Sequence, residues 1–168
     1  KPLVPLRGKP LIDHVLDRIE QAGVPTAVVN VHYMADQLEA HLRARARPNI
    51  VISDERKTLL DTGGGVKAAL RRLGPDAFMV HNSDSVWIEG VGSNLDRLFA
   101  AWEDARMDCL LMLALGSASI GYSGRGDFAM TSDGRLRRRA EREVVPFVYA
   151  GAALLAPGLF AGAAAEPF

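Results

Sequence analysis

Ala77-Phe78-Met79-Val80-His81-Asn82-Ser83-Asp84-Ser85 is an apolar run that stops abruptly at a polar tip. A short apolar run bounded by turn residues has the pattern of a buried strand in a parallel sheet. In open α/β sheets, ligands bind outside the carboxyl ends of the strands. Asp84 is therefore expected at such an end, with Asn82 and Ser83 beside it. A carboxylate there suits Mg²⁺, which takes oxygen donors and shares them with substrate phosphates. The other reading of Asp84 is a turn residue, a common place for Asx side chains.

Upstream, the chain alternates between two hydrophobic periods. Leu11, Ile12, Val15, Leu16 and Ile19 recur at helical spacing, with Pro10 at a permitted first-turn position and Gly23 at the end. Residues 26–31 are β-rich. Met34, Leu38 and Leu42 mark a second helix that stops before Pro48, and residues 50–53 form another short strand.

Then comes Asp61-Thr62-Gly63-Gly64-Gly65, followed by Val66, Ala69, Leu70 and Leu73 at helical spacing. The glycines open a helix, whose free N–H groups and dipole favour an anion or a ligand oxygen. A flexible surface loop is the competing reading. No Gly-Lys-Ser/Thr follows, so this is not a Walker A motif, nor is it Gly-x-Gly-x-x-Gly.

Downstream of Asp84, Ser93 and Asp96 resemble a capping box. Leu95, Leu98, Phe99 and Trp102 follow as a buried face. Cys109 to Leu115 is a continuous apolar strand in which Cys109 reads as a small buried hydrophobe. Residues 128–130, a turn at Ser132-Asp133-Gly134, and Leu136 predict a hairpin. The arginines at 135, 137, 138, 139 and 142 read as a solvated face. Residues 148–155 predict a further strand, and Pro157 opens a last helical turn.

Helices alternating with strands predict an α/β fold: a Rossmann-like, doubly wound sheet, mainly parallel with some mixed pairing. The 168 residues contain no internal repeat or linker and suit one domain. Hydrophobic residues make up 48%, enough for a core, and net charge is zero, which gives no global attraction to nucleic acid or anionic membrane. The single cysteine excludes an internal disulfide framework and fits a reducing, cytoplasmic compartment. The apolar stretch 148–165 is interrupted by Gly151, Pro157, Gly158 and Gly162. It reads as strand, turn and short helix rather than a membrane span.

Four ordered segments resemble the sugar-1-phosphate nucleotidyltransferase family. Lys1-Pro2-Leu3 resembles the segment before the family's first long helix, and Asp61-Thr62-Gly63-Gly64-Gly65 its nucleobase loop. Asn82-Ser83-Asp84 resembles its Asn-Gly-Asp metal motif, and Tyr149-Ala150-Gly151 the Asn-Ala-Gly segment against the sugar. The resemblance implies the nucleotide-diphospho-sugar transferase type of fold and transfer of a nucleotidyl group from an NTP to a sugar-1-phosphate. It makes Lys1 and Asp84 catalytic, with Asp84 as the Mg²⁺ ligand. It makes Asp61, Gly63, Gly64, Gly65 and Asn82 nucleotide-binding, and Asp127, Tyr149 and Gly151 sugar-binding. Within the family, the pairing of residues 61–65 with Gly124-Arg125-Gly126-Asp127-Phe128 is similar to a uridylyltransferase branch acting on N-acetylmuramate-1-phosphate.

The partners implied are small molecules, an NTP and a sugar-1-phosphate, with neither nucleic acid nor membrane, in a monomer or homo-oligomer. The family's phosphate-wrapping Gly-x-Gly-x-Arg loop and its second metal-binding Asp have no counterpart here. The expectation is thus a single domain over 1–168 lacking its N-terminal phosphate loop and C-terminal segment. A mannose-1-phosphate guanylyltransferase, another NDP-sugar pyrophosphorylase, and a non-catalytic nucleotide or sugar-phosphate binding module are the alternatives. A glycosyltransferase is disfavoured because position 82 of its Asp-x-Asp would be Asn, and a dehydrogenase because no glycine fingerprint follows a strand.

Overall fold

The computed structural model describes residues 1–162. A tight hairpin of β1 (Pro5–Leu6) and β2 (Lys9–Pro10) leads into α1 (Leu11–Gln21). Strand β3 (Thr26–Val31), helix α2 (Ala35–Leu42) and strand β4 (Asn49–Asp54) form a βαβ unit. β3 and β4 pair in parallel, from Thr26 opposite Asn49 to Val31 opposite Asp54. Helix α3 (Asp61–Leu73) then carries the chain to β5 (Phe78–His81).

The predicted stripe of α1 is buried: Ile12, Val15, Leu16 and Ile19 pack with Val31, Ala35, Leu38 and Leu42. Full burial of each aliphatic side chain is worth about 1.5–3 kcal/mol, so this cluster carries much of the stability of the N-terminal half.

The second half is built on β9 (Phe147–Leu155). Helix α4 (Asn94–Ala100) starts at Ser93, whose hydroxyl accepts from the Asp96 N–H at 3.1 Å. β6 (Cys109–Leu115) lies antiparallel along one edge of β9. β5 and β7 (Phe128–Met130) lie along the other edge, since Leu155 and Phe147 each face two strands at once. β8 (Leu136–Arg138) extends the sheet as the outer arm of the predicted hairpin. Short 3₁₀ turns follow β6 and β9.

The class is α/β with mixed pairing, as expected, but the balance differs from a mainly parallel sheet. Among the described residues the parallel ladder is β3–β4, and every pairing of β9 is antiparallel. The reason is connectivity. A hairpin joins β7 to β8, and β9 runs antiparallel to β5, β6 and β7, while the chain returns in the same direction through α2 between β3 and β4 and through α4 between β5 and β6. Cys109 is also a correction. It is exposed at the first residue of β6, and partial burial together with Asp108 pushes its thiol up, away from nucleophilic use. No helix among the described residues is long and apolar enough to cross a membrane. Of the apolar stretch 148–165, residues 148–155 belong to β9 and 157–160 to a 3₁₀ turn, and residues 163–165 lie outside the described range.

Candidate active site

Among the described residues β3 pairs with one strand, β4, and β5 with one, β9. Both line a single cleft of about 930 Å³ whose wall includes Ile12, Val15, Leu16 and Ile19 of α1. Much of its lining is apolar. A polar end gathers Asn30, Glu55, Asp61, Thr62, Asn82 and Ser83 from four chain segments. Asn30 is the penultimate residue of β3, Glu55 follows β4, and Asn82 follows β5, so this polar end lies at carboxyl ends, where ligands of α/β sheets bind.

Asp84 sits on an exposed turn three residues beyond β5, in which the Ser85 N–H donates to Asn82 O at 3.4 Å. This turn is tied to β9. The Asn82 N–H donates to Gly151 O at 2.7 Å. Gly151 adopts φ +88°, and a Cβ there would overlap Ser85 Oγ. Only glycine combines that backbone with so close a neighbour. The structure thus brings Asn82, Asp84 and Gly151 together from segments almost 70 residues apart.

From the other side, Arg18 of α1 holds the same loop. Its guanidinium donates to Trp87 O and lies over the Trp87 ring, 4.5 Å from the centroid. His81 stacks on Trp87 with centroids 5.0 Å apart. Burial lowers the pKa of both Arg18 and His81.

The three glycines lie inside the first turn of α3 rather than in a loop before it. Successive helical residues point about 100° apart, so three in a row cannot face one ligand. Asp61, Thr62 and Gly65 line the cleft, whereas Gly64 faces a separate surface with Lys67 and Arg71. Asp61 itself takes φ +58°, a left-handed start to the helix.

Asp127 has a structural partner that the sequence did not show. Its Oδ2 accepts from the Tyr149 N–H at 2.9 Å, joining β7 to β9. Its backbone N–H also donates to Phe147 O at 2.7 Å. Gly126 precedes it at φ +78°, packed on the Val145 carbonyl. Burial pushes the Tyr149 phenol up to about 12, with a smaller push from Cys109, so it is neutral. Glu143 is ion-paired with Arg137, which holds its carboxyl down at about 2 and fixes it to the β8 arm. Lys1 is exposed, in a turn closed by the Val4 N–H donating to its carbonyl at 2.9 Å, and its neighbour Pro2 lines the cleft.

Residues 1–155 match the model of the MobA-like NTP transferase domain. The chain belongs to the MobA-like NTP transferase family. It is 49% identical to the N-acetylmuramate alpha-1-phosphate uridylyltransferase of Caulobacter vibrioides, over 100% of this chain and 71% of the relative. The enzyme of that name from Neisseria meningitidis is 40% identical over 50% of this chain and 37% of its own. Among solved structures, HddC from Yersinia pseudotuberculosis complexed with GMP-PN superposes with TM-score 0.75 over 98% of this chain and 71% of its own, at 18% identity. At that identity the likeness concerns the fold.

Among the described residues no group of three or more His, Cys, Asp or Glu side chains could enclose a metal. Asp84 is a single, exposed carboxylate, and it fits an ion that draws its remaining ligands from substrate phosphates and water. That is how Mg²⁺ is commonly bound. Glu55 and Asn30 escaped the sequence reading. The available signal was an acid directly after an apolar strand, the same pattern that singled out Asp84.

Proposed function

We propose that this NTP transferase domain joins a sugar-1-phosphate to UTP, giving a UDP-sugar and pyrophosphate, with N-acetylmuramate-1-phosphate as the sugar substrate. The observation that carries the proposal is the meeting of Asn82 and Ser83 with Asp61 and Thr62 in one cleft, with Asn82 tied to Gly151 and Asp84 next in the same turn. The 49% identity to the Caulobacter uridylyltransferase, over all of this chain and 71% of that protein, supports the choice of base and sugar.

In the reaction a phosphate oxygen of the sugar-1-phosphate attacks the α-phosphorus of the NTP. The P–O bond to the β-phosphate breaks, and pyrophosphate leaves with the electron pair. Positioning and charge neutralisation carry such a reaction. The polar end of the cleft at Asp61 and Thr62 receives the base. Asp84 would hold Mg²⁺, which when bound would neutralise phosphate charge. Lys1 contacts the α-phosphate and sugar phosphate as a mobile point charge. Tyr149, Gly151 and the free oxygen of Asp127 face the sugar. Arg125 pairs with the lactyl carboxylate of muramate, for which a guanidinium has matching geometry.

The test is a pyrophosphate-release panel of UTP, GTP, dTTP and ATP against muramate, glucosamine, glucose and mannose phosphates, using the full-length protein. UTP with N-acetylmuramate-1-phosphate is expected to lead. A buried mismatch with another base costs about 1–3 kcal/mol per unpaired group, so discrimination of a hundredfold or more is expected. Equal rates with GTP and mannose-1-phosphate would move the assignment to a guanylyltransferase.

A further inference from the structure

Glu55 is a buried acid that the proposed chemistry leaves unused. It is 7% exposed, and Ser53 is its only buried polar companion among the described residues. Its partner is an amide rather than a cation: Asn30 Nδ2 donates to Glu55 Oε1 at 2.5 Å. The same nitrogen donates to Gly65 O at 3.1 Å. A Cβ on residue 65 would stand 2.9 Å from Glu55 Oε1 and 3.3 Å from Asn30 Nδ2. The end of β3, the residue after β4 and the first turn of α3 therefore meet at one point.

The backbone of Glu55 is equally fixed. Its N–H donates to Val31 O at 2.8 Å, and its carbonyl accepts from His32 Nδ1 at 2.6 Å and the Thr58 N–H at 3.1 Å. Burying a carboxylate without a cation is unfavourable, and apolar side chains could hold a helix to a sheet without that cost. What the carboxylate adds is direction. An amide nitrogen has two N–H groups at a fixed angle. With one on Glu55 and the other on Gly65 O, the rotation of α3 is set. That rotation decides which residues of the first turn face the cleft.

We propose that Asn30 and Glu55 are a positioning pair that sets the first turn of α3 against the sheet and so tunes nucleotide affinity without touching substrate. This rests on the proposed role of that turn in nucleotide binding. Neither residue belongs to the four segments that resemble the transferase family.

The test compares KM for UTP and for the sugar-1-phosphate in the full-length protein, with thermal melts as a folding control. Glu55→Ala is expected to raise the UTP KM about tenfold, equivalent to 1.4 kcal/mol, and to leave the sugar-1-phosphate KM within about twofold of wild type. Glu55→Gln keeps an oxygen for Asn30 and is expected to stay near wild type. Asn30→Asp sets two carboxylates face to face and is expected to behave like Glu55→Ala. Gly65→Ala is expected to raise the UTP KM alone. Combined with Glu55→Ala it is expected to add less than its single effect, because the new methyl enters space the carboxylate has left. Equal changes in both KM values, a loss in kcat alone, or strict additivity of the double variant would overturn the positioning role. If Glu55→Ala does not fold, Glu55→Gln and Asn30→Asp carry the same comparison. A wild type that releases no pyrophosphate with any NTP would remove the proposed function itself, and this inference with it. An active wild type with unchanged variants would remove only the inference.

Discussion

Gly151 of β9 lies so close to Ser85 that a single added methyl would overlap the serine hydroxyl, and its carbonyl accepts the Asn82 N–H at 2.7 Å. The turn carrying Asp84 is thereby held from both sides of one glycine. Gly151→Ala adds left-handed backbone strain of about 1–3 kcal/mol and pushes the turn outward. The expected outcome is a lower Tm together with a higher Mg²⁺ requirement for turnover. An unchanged Mg²⁺ titration would show that Gly151 serves the sheet alone.

Asp84→Asn is expected to abolish metal-dependent turnover of the full-length protein and leave the melt nearly unchanged. Asp84 is exposed and supports no buried interaction, so its loss costs the fold little. Residual activity within about tenfold of wild type, roughly 1.4 kcal/mol of barrier, would remove it as an essential ligand.

Asp127 allows structure and substrate contact to be separated. Asp127→Asn retains an oxygen for the Tyr149 N–H, whereas Asp127→Ala leaves that donor unpaired, at a cost of about 1–3 kcal/mol. The expected result is a normal melt for Asp127→Asn with a raised sugar-1-phosphate KM, and a lowered melt for Asp127→Ala. An Asp127→Asn variant with wild-type KM would make the residue a strand brace only.

His81 gives a pH dependence. Burial lowers its pKa below the ordinary 6.5, aided by Arg18 and opposed by the hydrogen bond to Asn82 O. The unfolded chain then binds more protons near and below that pH, so stability is full above 6.5 and falls as pH drops through it. The melting temperature is expected to decline between about pH 7.5 and 5.5, across the ordinary histidine range. The decline should be smaller in His81→Gln, which does not titrate. Equal declines in both proteins would assign the acid sensitivity elsewhere.

The sequence by itself determined the elements. The α1 stripe, the Ser93 cap, the β-rich run at 26–31 and the hairpin turn at 132–134 are governed by residues within about four positions of each other. Asp84 was legible for the same reason: a strand and its polar tip are adjacent in the chain. Tertiary structure alone decided what meets what. The bond from Tyr149 to Asp127 spans 22 residues, and that from Asn30 to Glu55 spans 25. Neither pair carries a local signal, because strand order and register bring them together. The glycine run shows the limit most clearly. Its composition announced a close approach, but only the rotation of α3 decided that Gly65 meets Glu55 while Gly64 faces away from the cleft. That rotation is settled where α3 meets β3 and the residue after β4, at Asn30 and Glu55, which no window of the sequence contains.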